Sequence, residues 1–246
     1  MIDLLAEVVS WFGGNWWGPT GIVSRTQRHF ELSGAALITA AVLAMPPAAW
    51  LGHRGRGTGL VTALVNAGRA IPTFGIVALA LPIMIRIADA VPWMSSGIGF
   101  PSIYVALVAL ALPPLFIHTH TAILAVSPDV VEAAAGLGMT RRQILRRIEL
   151  PLAVPVIMTG IRVTAVQVVA TAPLGALVAH DALGRFIIDG FAVRDSVRVF
   201  AGAVLVAAAA LLTDAVFGAA ERRLTPSTRS EAATPQSGIR NISRVS

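Results

Sequence analysis

The chain has 246 residues, of which 55% are hydrophobic and 13% are charged, and its mean hydropathy is +0.74. Soluble domains carry about a quarter charged residues, so this composition excludes a soluble globular protein and predicts an integral membrane protein. All 19 basic residues are arginine, which excludes a P-loop ATPase and a Schiff-base enzyme because both need a lysine. The lack of cysteine excludes disulfides and thiolate metal sites.

Five apolar stretches have roughly the 20 residues that a bilayer crossing requires. They are residues 32–51, 59–88, 102–125, 152–179 and 197–219. They predict an all-α protein with about five transmembrane helices in a domain of residues 31–224. The second stretch contains Pro72 and Pro82, so we expect it to kink or break. Residues 1–30, rich in tryptophan, read as an interfacial segment, and the polar residues 225–246 read as a disordered cytoplasmic tail.

The distribution of arginine predicts the orientation in the membrane. Eleven arginines lie in the connections after the first and third stretches and in the tail, against five on the other side. Arginine accumulates in cytoplasmic loops, so the N-terminus is predicted outside and the C-terminus in the cytoplasm. The arginines of the cytoplasmic loops account for the formal charge of +6, so no nucleic-acid partner is expected.

The most charged stretch, residues 127–151, falls in a predicted cytoplasmic connection. Ser127 followed by Pro128 is typical of a helix start, and Gly138 is suited to end that helix. Thr140 and Gln143 have the spacing of a capping box, which predicts a second helix from Arg141. The sequence therefore predicts two short amphipathic helices. By physical chemistry alone, a solvated surface loop and a docking element remain equally open.

The order of residues in this stretch resembles the EAA loop of bacterial ABC importer permeases, EAA-x3-G-x9-I-x-LP. The fixed positions are matched by Glu132, Ala133, Ala134, Gly138, Ile148, Leu150 and Pro151. The resemblance implies that the loop docks into a separate ATPase subunit and couples ATP hydrolysis to movement of the membrane helices. We expect Glu132 to Thr140, including Met139, to contact the ATPase more than the arginines do.

Three further segments resemble the osmoprotectant permeases, which are the glycine betaine, carnitine and choline type. GRAIPTFGIVALALP at residues 68–82 is similar to the family's GRTIPSLALLALLLP, residues 160–162 to its GIR motif, and residues 183–190 to its LGRFI-x-x-G segment. Several positions depart from the family pattern. They are His118, His120, Ala122, Ala170, Pro173, Asp181 and Ala182. These departures bear on the exact substrate and leave the transporter class unchanged.

The resemblance implies a type I ABC importer permease in the bacterial plasma membrane. The chain itself is expected to be non-catalytic and to hold no cofactor, with ATP and Mg²⁺ bound by two partner ATPase subunits. Further expected partners are a second permease chain, identical or unlike, and an extracytoplasmic solute-binding protein. The expected cargo is a compatible solute such as glycine betaine, choline, carnitine or proline. The alternatives are an ABC permease for an amino acid, an ion-gradient-driven secondary transporter and a non-transporting membrane anchor.

Polar residues within the predicted spans are candidates for function, because ionisable groups at membrane depth are costly. The candidates for the pathway or for intramembrane contacts are Arg69, Pro72, His118, Thr119, Arg162 and Asp214. Asp214 is predicted to pair with Arg69 or Arg162 across helices, with snorkelling of the arginines toward the interface as the alternative. At helical spacing His118 and His120 point about 200° apart, so a shared metal ion is not expected.

Overall fold

The computed structural model describes residues 2–70 and 72–224, except for the side chains of residues 2–5 and 67–70. The predicted tail at 225–246 lies outside the described residues. Within them the chain is all helical. In order, the helices are α1 Ile2–Gly14, α2 Ile22–His53, α3 Thr58–Ala70, α4 Thr73–Ala90, α5 Phe100–Leu124, α6 Pro128–Gly136, α7 Arg141–Ile144, a π-helical turn Leu145–Glu149, α8 Leu150–Thr171, a 3-10 segment Ala172–Val178, α9 Gly184–Val193 and α10 Ser196–Leu224.

Five helical segments in the described part are long and apolar enough to cross a membrane. They are Ile22–His53, Thr73–Ala90, Phe100–Leu124, Arg141–Val178 and Ser196–Leu224. The prediction of an all-α protein with about five spans is therefore confirmed. The boundaries differ: α2 already begins at Ile22, and the fourth segment is helical from Arg141, because α7, the π-helical turn and α8 form one continuous rod.

The second predicted span is broken at its proline, as expected. Residues 59–88 form two helices, α3 and α4, and only α4 has the length and hydropathy of a membrane span. Pro72 has extended backbone angles (φ −66°, ψ 135°), and its carbonyl accepts the first hydrogen bond of α4 from Gly75 N at 2.8 Å. The proline ring fixes φ and removes the backbone donor that a continuous helix would need. The other prolines of the spans, such as Pro82 and Pro155, remain inside helices.

The core of the bundle is the contact between α2 and α5. The buried residues of α2 recur every four positions. They are Leu32, Ala36, Ala40, Ala44 and Ala48, and on α5 the same spacing gives Ile103, Leu107, Ala111 and Leu115. Residues four apart lie on one face of a helix, and alanines allow two membrane helices to approach closely. The buried face of α2, which is mostly alanine, therefore packs against a face of α5 that carries mostly isoleucine and leucine.

Helix α8 packs between α5 and α10. It approaches α5 closely at Gly160, where a Cβ atom would lie only 2.4 Å from the Cβ of His118. Glycine is thus required there by the approach of the two helices. We call the end of the bundle that carries residues 127–151 the loop end, and the opposite end, which carries residues 179–195, the far end.

Candidate functional site

Helix α6 of the loop end begins and ends as its sequence predicts, with one difference. Pro128 occupies the first turn and Asp129 adds an acid near the helix N-terminus, where the helix dipole favours negative charge. Ser127 is the N-cap residue, but its side chain makes no capping hydrogen bond, and its carbonyl accepts from Val130 N at 3.1 Å. The fixed φ of proline and the acid are sufficient to start the helix.

The end of α6 is a Schellman motif centred on Gly138. Gly138 has φ +81°, which only glycine adopts at little cost. Its N–H donates to the Ala135 carbonyl at 2.9 Å, and Met139 N–H donates to the Ala134 carbonyl at 3.2 Å, as the motif requires. The prediction that Gly138 ends the helix is confirmed.

A capping box starts α7, as predicted. Gln143 N–H donates to Thr140 Oγ1 at 3.4 Å, and Thr140 N–H donates to Gln143 Oε1 at 2.7 Å. These two bonds satisfy donors that would otherwise remain unpaired at the helix start. Local hydrogen bonds at Gly138 and Thr140 thus define the turn between α6 and α7.

The two faces of the loop differ in exposure. Glu132, Ala133, Gly138, Thr140 and Pro151 are exposed, while Met139, Ile148 and Leu150 are half-buried. Ala134 is buried, as is Ile144 on α7. An apolar side chain that the sequence reasoning missed, Leu137, is 84% exposed at the turn between the helices. Leu137 stands immediately before the motif glycine, Gly138.

The π-helical turn joins the loop to the membrane rod, and a buried polar pair anchors it. Glu149 is only 4% exposed, and its Oε2 lies 2.6 Å from Nδ1 of His53 at the end of α2. This contact ties the start of α8 to the first membrane helix. Sequence reasoning missed both residues. The signal was a lone acid between Ile148 and Leu150 in an otherwise basic helix.

Arg162 and Asp214 form the predicted ion pair across α8 and α10. Arg162 Nε and Nη2 lie 2.7 Å from the two carboxylate oxygens of Asp214, which is bidentate geometry. Arg162 Nη1 also reaches Glu221 at 3.2 Å, and Glu221 accepts a hydrogen bond from Thr159. The guanidinium lies against Gly218, where a Cβ would come within 3.1 Å of Cζ. The prediction is confirmed and extended, since Glu221 and Gly218 complete the site.

The other intramembrane candidates do not join this cluster. Thr119 is 2% exposed, and His118 packs on Gly160. His120 Nε2 donates to the Arg56 carbonyl at 2.6 Å, so it holds the connection after α2. Arg69 lies in the last turn of α3, and its side chain is outside the described ones. Among the described residues no three histidine or acidic side chains lie close enough to hold a metal ion.

A cavity of 600 Å³ opens between α3, α4, α5 and α8. It begins beside the break at Pro72, with Thr73 and Gln167 as its polar side chains, and Pro113 and Ile117 on its α5 wall. None of the predicted pathway residues with a described side chain lines it, although Thr73 and Ile117 are adjacent in sequence to Pro72 and His118. Gln167, one turn and a half beyond Arg162 on α8, is the polar residue that sequence reasoning missed.

Five helices long and apolar enough to cross a membrane, among the described residues, define a polytopic membrane protein. The family described as the binding-protein-dependent transport system inner membrane component matches residues 34–226. The chain belongs to this family and is a multi-pass inner-membrane permease. This membership decides against the secondary-transporter and anchor alternatives.

Among curated relatives, the choline transport system permease protein OpuBB of Bacillus subtilis is 31% identical over 205 residues, covering 83% of this chain and 89% of the relative. The carnitine transport permease protein OpuCD of Listeria monocytogenes is 30% identical over 226 residues, 92% of this chain and 95% of the relative. The osmoprotectant import permease protein OsmY of Salmonella typhimurium is 33% identical over 205 residues, 82% of this chain and 81% of the relative.

Solved structures share the fold. The MetNI methionine ABC transporter in an inward-facing conformation matches with a TM-score of 0.71 at 21% identity, over 82% of this chain and 95% of that chain. An amino acid ABC transporter with histidines matches with a TM-score of 0.67 at 20% identity, over 91% and 99% of the two chains. The prediction of a type I ABC importer permease fold is confirmed.

Proposed function

We propose that this chain is a permease subunit of an ATP-driven importer for compatible solutes of the glycine betaine, choline and carnitine class. The proposal rests on the similarity to permeases named for these solutes, at 30–33% identity over most of the chain. The chain contributes half of the translocation path, and a second permease chain, identical or unlike, contributes the other half. A separate solute-binding protein delivers the solute on the far end.

Two partner ATPase subunits bind ATP and Mg²⁺ and hydrolyse the ATP, and this chain is non-catalytic. The observation that carries the coupling role is the loop of residues 127–151. Its backbone is fixed by the Schellman motif and the capping box, while Glu132, Leu137 and Thr140 face outward. A rigid element with an exposed acid and an exposed apolar group suits a docking contact with the ATPase.

The continuous rod from Arg141 to Val178 gives this contact a mechanical route. A displacement of α7 by the ATPase moves α8 with it, since a π-helical turn joins them without a break. The Arg162 ion pairs transfer the displacement to α10, and the Glu149–His53 contact transfers it to α2. Movement of these three helices alters the walls of the path, which is alternating access driven from the loop.

The test is ATP-dependent uptake by the reconstituted complex, with the candidate binding protein loaded with glycine betaine, choline, carnitine or an amino acid. We expect the quaternary ammonium solutes to stimulate ATPase activity and to be taken up. Glu132→Ala is expected to lower uptake, and Glu132→Arg to lower it further. The control Glu7→Ala, at an exposed position, is expected to leave uptake unchanged. Stimulation by an amino acid alone would contradict the solute class, and full uptake by the Glu132 variants would contradict the coupling role.

A further inference from the structure

A group of charged residues lies at the far end, where α1, the start of α2 and residues 179–198 meet. The group holds Arg25, Arg28, Arg185 and Arg198 together with Asp181, Asp189 and Asp195. Asp181 accepts from both Arg25 and Arg28, and Asp189 accepts from Arg185 and Arg198. Four arginines against three aspartates leave one positive charge in excess, which favours an anion.

Arg25 is the buried member of this group, at 4% exposure. Its Nε donates to Asp181 Oδ1 at 2.8 Å, and its Cζ lies 4.4 Å from the centre of the Phe186 ring. Its Nη1 is buried and has no acceptor among the described residues. Buried polar groups are nearly always hydrogen-bonded, and a charged donor without an acceptor is costly. The fold thus holds a guanidinium N–H whose hydrogen-bonding capacity is unmet among the described residues.

A cavity of 260 Å³ adjoins this guanidinium. Its wall is mainly polar, and the lining residues are Trp11, Asn15, Thr20, Arg25, Phe186, Asp195 and Arg198. Asp195 is the one acid among these lining residues, and its Oδ1 accepts from the backbone N–H of Arg198 at 3.0 Å at the start of α10. The rings of Trp11 and Phe186 meet edge to face, 5.2 Å apart, and expose little of their apolar surface to the cavity.

We propose that this far-end cavity binds the carboxylate group of a small solute, with Arg25 as the principal donor and Arg198 as the second. A guanidinium matches a planar carboxylate and binds it with charge-assisted hydrogen bonds. The single excess positive charge fits a monoanionic group. The site is separate from the 600 Å³ cavity between α3, α4, α5 and α8, and the inference does not rest on the proposed transport function.

The experiment uses the full chain in phosphatidylcholine nanodiscs without ATPase or binding protein, at constant ionic strength. Binding of labelled glycine betaine, which has a carboxylate, is compared with binding of labelled choline, which has a hydroxyl in its place. Acetate and phosphate serve as competitors, and a second set of nanodiscs contains phosphatidylglycerol. We expect glycine betaine to bind, acetate to compete, and choline to bind at least about tenfold more weakly, as the loss of a charge-assisted bond predicts.

Variants assign the binding to the cavity. Arg25→Gln is expected to weaken glycine betaine binding by at least about tenfold, and Arg25→Lys to retain part of it. Thr20→Phe fills the cavity from an exposed position, so it tests the site even if Arg25→Gln misfolds. Arg194→Gln, an exposed arginine of the same connection, is the matched control and should bind as the original chain does.

Three results would overturn the proposal. Equal binding of choline and glycine betaine would remove the carboxylate as the recognised group. Unchanged binding by both Arg25→Gln and Thr20→Phe would place the ligand elsewhere. Loss of binding in phosphatidylglycerol nanodiscs, with no competition by acetate, would assign the cavity to a lipid headgroup phosphate.

Discussion

The loop of residues 127–144 and the charged clusters between the membrane helices are held together by different means. In the loop, the bonds of Gly138, Met139 and Thr140 join residues no more than five positions apart. The ion pairs join residues far apart in sequence: Arg28 with Asp181 is separated by 153 positions and Arg162 with Asp214 by 52. The loop can keep its shape while its outer face contacts another protein, whereas the clusters can transmit a displacement between helices.

The largest expected effect is at Arg162, where the long-range contacts of α8 and α10 converge. Arg162→Asp places three acids together and should abolish uptake and lower the thermal midpoint of the complex. The charge exchange Arg162→Asp with Asp214→Arg should restore part of both, because the pair is re-formed with reversed polarity. Arg223→Glu, an exposed residue on the same helix, is the control. Equal loss in the exchange variant and the single variant would mean that the ion pair has no role.

The next effect concerns the junction between the two regions. Glu149→Ala leaves the half-buried His53 without its partner, which should cost about 1–3 kcal/mol in the free energy of unfolding. Glu132→Ala removes an exposed glutamate of the same loop and should change it by less than about 0.5 kcal/mol. Denaturant unfolding of the chain in micelles measures both. Equal values would contradict the anchoring role of Glu149.

Within the loop, two glycines are expected to respond with opposite signs. Gly138 has a left-handed backbone and Gly136 is the last residue of α6; a Cβ at either meets no atom within 4 Å. Gly138→Ala should destabilise the turn by about 1–2 kcal/mol, and Gly136→Ala should stabilise it by about 0.5–1 kcal/mol. Amide hydrogen exchange of residues 128–144 reports both. Effects of the same sign would show that the Schellman motif does not control the loop.

A smaller effect than at Gly138 is expected at the capping box. Thr140→Ala removes the acceptor for Gln143 N–H and should cost about 1 kcal/mol. Thr140→Ser keeps the hydroxyl and should exchange amide hydrogens almost as slowly as the original chain. Faster exchange in the serine variant, equal to that of the alanine variant, would assign the effect to the lost methyl group.

The features that could be predicted from the sequence are those with local causes. The lengths of the apolar stretches predicted the five spans, and Pro72 predicted the break between α3 and α4. Gly138 and Thr140 predicted where the two loop helices end and begin. The pair of Arg162 with Asp214 was predictable because few partners exist for a charge at membrane depth. Helix α9, the Glu149–His53 contact and the group around Arg25 depend on how distant segments pack, and one sequence carries no local signal for them. Leu137 was missed because a lone leucine in a polar loop fits either a buried or an exposed position.

The central claim is that the outer face of the loop contacts the ATPase, and cross-linking tests it most directly. The chain has no cysteine, so Leu137→Cys, at an 84% exposed position, introduces a single reactive thiol. Val9→Cys on α1, at a 71% exposed position, is the matched control. The account predicts that a short bifunctional reagent joins the Leu137→Cys chain to the ATPase subunit and does not join the Val9→Cys chain. Cross-linking from position 9 and none from position 137 would contradict it.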